Sequence, residues 1–94
     1  MIDEKRALEL YELALSVVEG KGVIVTVGLM TYREYRAATL TIIYLPTSGH
    51  LDVWYRRKVL TINRRDETLK VDHYSPGDWE DELEEAAAKF RPKE

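Results

Sequence analysis

Near the start of the chain, apolar positions recur at a helical interval. Ala7, Leu10, Tyr11, Ala14, Val17 and Val18 share one face, and Lys5, Glu9, Glu12, Ser16 and Glu19 share the opposite one. The pattern predicts an amphipathic helix over residues 3–19. Asp3 stands where an N-cap belongs and Gly20 where a C′ residue belongs. Leu8, Leu13 and Leu15 widen the apolar arc to roughly 200° at 100° per residue, more than a helix lying on one sheet needs. A second element is therefore expected against its flank.

From Gly22 to Tyr74 the interval changes to two, with β-branched and aromatic residues between turn-forming clusters. Four strands are predicted, over residues 23–30, 36–45, 51–63 and 68–74. The first sets Val23, Val25, Val27 and Leu29 on one face; the second sets Ala38, Leu40, Ile42 and Tyr44 against Ala37, Thr39, Thr41 and Ile43. Pro46-Thr47-Ser48-Gly49 and Asn63-Arg64-Arg65-Asp66-Glu67 read as connections. In the third strand Leu51, Val53 and Tyr55 fall out of phase with Leu60 and Ile62, which predicts a β-bulge near Arg56-Arg57-Lys58.

A last helix is predicted over residues 76–90, with Ser75 as N-cap, Pro76 at N1 and Asp78 as the acid of a capping box. Trp79, Leu83, Ala86, Ala87 and Phe90 form its apolar stripe, and Pro92 ends it. The expected fold is a single α+β domain of order α-β-β-β-β-α, spanning residues 1–94. Its four-stranded antiparallel meander would be packed by both terminal helices. Both helices are expected on the face that carries Val23, Val25, Val27, Leu29, Ala38, Leu40 and Ile42. The opposite face mixes Thr26, Gly28, Thr39 and Thr41 with Ile24, Ile43 and Tyr55 or Tyr74, the composition of a half-wet surface, a dimer interface or a binding platform.

Size and composition narrow the function classes. Ninety-four residues suffice for one core and exclude two domains. The absence of cysteine excludes disulfides, thiolate metal sites and cysteine nucleophiles, and favours a cytoplasmic setting. The opening Met-Ile-Asp-Glu-Lys-Arg lacks the apolar core of a secretory signal, and no apolar run is long enough for a membrane span. Gln is absent and Asn63 is the sole Asn, a balance shared by proteins from hot environments and by idealised sequences.

The net charge of −3 is unevenly distributed: −2 over residues 1–30, +3 over 31–75 and −4 over 76–94. Arg56, Arg57, Lys58, Arg64 and Arg65, with Trp54 and Tyr55 between them, are the cations and rings that a partner surface or a single-stranded nucleic acid would use. The overall pI near 5.4 argues against a dedicated nucleic-acid protein. Asp78, Asp81, Glu82 and Glu85 of the last helix form a candidate acidic docking face for a basic partner.

No motif identifies a catalytic residue, a cofactor or a metal site. His50 and Asp52 fall on one strand face, but a metal or catalytic site needs further converging groups. Asp72 and His73 alternate to opposite faces. Gly20-Lys21-Gly22 leads from a helix into a strand, the reverse of a phosphate-binding loop. The reading is therefore a non-enzymatic interaction or assembly module acting as a homodimer, suited to the wide arc of the first helix and the mixed sheet face. The alternative is a nucleic-acid-binding domain that uses the sheet's basic and aromatic residues.

Overall fold

A computed structural model of the chain describes residues 2–89. The order is α1 (Glu4–Lys21), β1 (Val23–Val27), β2 (Met30–Arg36), β3 (Leu40–Leu45), β4 (His50–Tyr55), β5 (Arg57–Arg65), β6 (Thr68–Tyr74) and α2 (Trp79–Lys89). The strands form one antiparallel sheet in chain order. The α+β class and the meander match the sequence pattern, but the described residues hold six strands against the four expected.

Both additional strands arise from tight turns inside segments expected to be continuous. Gly28-Leu29 joins β1 to β2, with Val27 opposite Met30 and Gly28 at φ 62°. This is the primed hairpin geometry in which Gly leads the turn. The expected third strand folds back at Arg56, which takes φ 68° while Tyr55 pairs with Arg57 and Trp54 with Lys58. The segment expected as one bulged strand thus turns at Arg56, and Arg57 and Lys58 begin the returning strand. The parity break it causes is completed by a register shift that leaves Val59 as the extra residue between Lys58 and Leu60.

α1 buries Ala7, Leu10, Tyr11, Ala14, Val17 and Val18, the stripe read from its periodicity. Asp3 caps it by accepting from the Arg6 amide at 2.7 Å. Its C-terminal boundary differs from expectation: the helix runs to Lys21, and Gly22 rather than Gly20 closes it, its amide donating to Val18 O. A Cβ at Gly22 would stand 2.2 Å from that same oxygen, so the close approach of chain to helix end requires glycine there.

α2 also departs from expectation, starting at Trp79 instead of residue 76. Ser75 is not its N-cap: the Ser75 amide extends the sheet by donating to Val59 O, and its carbonyl accepts from the Trp79 indole at 2.6 Å. Asp78 O accepts the first helical amides, those of Asp81 and Glu82. Phe90 and Pro92, assigned to the end of this helix, lie outside the described residues.

Both helices cover the same sheet face. α1 packs against β2, β3, β4 and β6, and α2 packs against α1 and β3. The core lies between this layer and Leu40, Ile42, Leu51, Val53, Leu60 and Ile62 of the three middle strands. The expected face holds for Leu40 and Ile42 but is inverted for β1. Tyr35 pairs with Ile42, so Glu34 falls beside Ile43, and Val23 beside Glu34. Val23, Val25 and Val27 consequently lie on the helix-free face, and Leu29 is a fully exposed turn residue. Ala38, expected on the covered face, is exposed in the β2–β3 turn.

Gly49 is the least replaceable turn residue. It holds φ 73°, its carbonyl accepts from both the Arg64 amide and the Tyr11 hydroxyl, and a Cβ would lie 2.1 Å from Arg64 O. Gly28, at a similar φ, has open space around it. Urea unfolding should show Gly49→Ala destabilised by about 3 kcal/mol, and Gly28→Ala by only about 1 kcal/mol from left-handed strain.

Candidate functional site

The basic and aromatic candidates do not converge on one surface. Trp54 lies on the helix-free face, with Lys58 Nζ 5.4 Å from its ring centroid. Tyr55 lies opposite Leu40 on the covered face, and the Glu82 carboxylate beside its hydroxyl raises its pKa. Arg56 and Arg57 stand at one end of β5, and Arg64 and Arg65 at the other. Nine residues of strand separate these ends by about 26 Å. Arg64 lies 5.8 Å over the Tyr11 ring on the covered face, whereas Arg65 is exposed beside the β5–β6 turn.

The acidic candidates divide likewise. Asp78, Asp81 and Glu85 are exposed, but Glu82 turns back to the sheet and accepts from Thr39 Oγ1 at 3.1 Å. Two acids that the docking reading omitted are engaged in tertiary contacts. Glu80 accepts from Arg6 at 2.9 Å and from the Tyr74 hydroxyl at 2.6 Å, and Glu84 accepts from Arg6 at 3.0 Å. These carboxylates raise the Arg6 pKa above its ordinary value, Glu84 most strongly. Much of the charge on α2 thus fastens it to α1 and to the sheet.

On the helix-free face, β4, β5 and β6 hold a chain of hydrogen bonds. His50 Nδ1 is 2.8 Å from Asn63 Oδ1 and Nε2 is 3.0 Å from Asp52 Oδ2. Asn63 donates its amide to Asp72, which orients its oxygen toward the imidazole. Thr61, 6% exposed, donates to Asp52 Oδ1 at 2.8 Å. Both nitrogens of His50 are therefore engaged, leaving neither for a substrate proton or a metal ion.

A register shift between Thr61 and Ile62 breaks the strict alternation expected of Asp72 and His73. The two still take separate partners, Asp72 reaching Asn63 and His73 Nε2 donating to Lys58 O. Among the described residues, no group of three or more His, Cys, Asp or Glu could hold a metal ion, and no helix is long and apolar enough to cross a membrane.

An open groove at the turn end of the sheet is lined by Tyr11, Tyr44, Ser48, Gly49, Arg64 and Lys70, among others. Its central group is committed to the fold, since Tyr11 is 2% exposed and donates to Gly49 O at 3.1 Å. Burial pushes the Tyr11 pKa up to about 12.

The least covered part of the described residues is β1 with the turn that joins it to β2. Val23, Ile24, Val27 and Met30 are 61%, 63%, 62% and 53% exposed. Val23 and Val27 lie on the helix-free face and Ile24 on the other, so apolar surface is open on both sides of one strand. Among the described residues β1 is also a sheet edge, paired only with β2. The sequence held a signal for it: residues 22–32 carry no charge, in a chain that is 33% charged. Comparison with protein-family models, curated proteins and solved structures finds no match to this chain.

The buried phenol of Tyr11 ties stability to alkaline pH. Its proton is held more tightly in the folded chain, so its stabilising contribution is complete below pH 10 and is lost as pH rises toward 12. Absorbance at 295 nm should show late-ionising tyrosines, Tyr11 together with Tyr74, whose pKa burial also pushes up to about 12, and Tyr11→Phe should remove one of them. Stability should fall by on the order of 2 kcal/mol across that interval, and Tyr11→Phe should flatten the decline.

Proposed function

We propose that this chain is a non-enzymatic protein-interaction and assembly module that acts as a homodimer. The uncovered β1–β2 hairpin carries this reading. Soluble monomers blunt their sheet edges with Lys, Pro, bulges or covering segments, and β1, reading Val-Ile-Val-Thr-Val, has none of these in its sequence. On the helix-free face Val27 and Met30 share an open groove with Leu45 of β3, an exposed apolar surface of the kind that marks protein contact sites, whereas Glu34 separates Val23 from Ile43.

The flank of α1, which first favoured association, does not support it. α2 lies beside Leu13, Leu15 borders the groove with Tyr44, and only Leu8, 37% exposed, is left open, too little for an interface. The motive for a dimer therefore moves from the helices to the sheet.

Single-stranded nucleic acid is the alternative partner, supported by the Lys58–Trp54 stack on the helix-free face. The division of the arginines between two ends and two faces works against it, since a backbone-tracking groove needs its cations in line.

Sedimentation equilibrium of the purified chain over a wide concentration range separates these readings. The expected result is a dimer that persists at high salt, because its contact is apolar. A monomer at every concentration would contradict the proposal. A monomer that binds an oligonucleotide with steep salt dependence would replace it with the alternative.

A further inference from the structure

Resting on the homodimer reading, we infer that the two copies join edge to edge through β1, antiparallel about a two-fold axis at Val25, into one continuous twelve-stranded sheet. The register follows from the hairpin. In a two-residue hairpin the pair flanking the turn is hydrogen-bonded, so Val27–Met30, Val25–Tyr32 and Val23–Glu34 bond inward. Ile24 and Thr26 then turn their backbone N–H and C=O outward along the edge. Setting Ile24 against the partner's Thr26, and Thr26 against the partner's Ile24, satisfies all of these groups.

In that register Val25 faces the partner's Val25, and Val23 faces the partner's Val27. The apolar row on the helix-free face becomes continuous through the two-fold, flanked by Tyr32 and its symmetry mate. No charged residue of β1 is brought opposite a like charge, because β1 has none. An isologous contact of this kind closes on itself and stops at two copies.

Edge pairing also accounts for exposure that face-to-face stacking of the helix-free surfaces leaves open. Stacking would cover Val23 and Val27 but not Ile24, 63% exposed on the other side, nor the outward backbone groups. The opposite edge, β6, is unsuited to the same role. Asp72 is the extra residue of its bulge, and Lys70 and Asp72 form an ion pair on it at 3.6 Å.

The absence of cysteine makes the register directly testable. Val25 and the partner's Val25 would form a non-hydrogen-bonded pair with Cα atoms about 4.5 Å apart, within the range a disulfide spans. Two copies of Thr26 would be offset by two residues along the strands, beyond the ~7 Å limit for bridging. Under oxidised glutathione, Val25→Cys should form a covalent dimer at least about tenfold faster than Thr26→Cys. Circular dichroism would verify that both variants are folded, and the dimer fraction of the unaltered chain would be read by sedimentation. If the unaltered chain dimerises but both variants cross-link at equal rates, the β1 register is overturned while the homodimer reading survives. If the unaltered chain is monomeric, both fall. Preferential cross-linking of Val25→Cys together with a dimeric parent supports both.

Discussion

Two helices cannot cover six strands, and most of this molecule's surface follows from that mismatch. A helix with its side chains is about 10 Å wide, so a pair covers about 20 Å. Six strands at about 4.8 Å spacing extend about 24 Å from the first axis to the last. The fully buried sheet residues Leu40, Ile42, Leu51, Val53, Leu60 and Ile62 all belong to β3, β4 and β5, and the remaining strands share what cover is left. α1 packs on β6 as well as on β2, which leaves β1 as the overhanging strand. An apolar strand in that position has two uncovered faces and one uncovered edge.

The helix pair is held where it is by polar contacts at its borders. Arg6 reaches Glu80 and Glu84 across the α1–α2 seam, Tyr74 donates to Glu80 from β6, and Thr39 donates to Glu82 from the β2–β3 turn. The Trp79 indole, 1% exposed, is tied to Ser75 O and meets Tyr74 edge-on with ring centroids 6.2 Å apart. These contacts fix α2 between α1 and the sheet, so it stays clear of the hairpin. The acids of α2, which in the sequence look like a docking face, are partly the fastening of the core to its own lid. The same economy applies to the basic residues, since Arg64 lies over Tyr11.

What could be read from the sequence was whatever depends on local periodicity. The buried stripe of α1 and its Asp3 cap were legible because a helix reports its faces through spacing alone. Sheet faces report less, because parity is lost at every turn or bulge left unrecognised. Gly28-Leu29 carried a turn signal, Gly leading a two-residue loop between alternating runs, yet the valines around it read as one strand. Arg56 carried no signal, because a left-handed arginine is uncommon and tertiary pairing on both sides imposes it. The His50–Asp52–Thr61–Asn63–Asp72 chain needed three strands in register, so only the His50–Asp52 proximity was visible beforehand. The exposed hairpin resembles a core strand for a related reason. Its hydrophobicity is what a core strand shows, and only the helix layer's limited width distinguishes the two.

The most direct test of this account is amide hydrogen exchange at Ile24 and Thr26, followed by NMR at rising protein concentration. Their outward N–H groups should exchange rapidly in dilute solution and become protected as the dimer fills, in step with each other, while the amides of β3 to β5 stay slow throughout. Rapid exchange at Ile24 and Thr26 in a sample already dimeric would show that the edge of β1 is not where the copies meet.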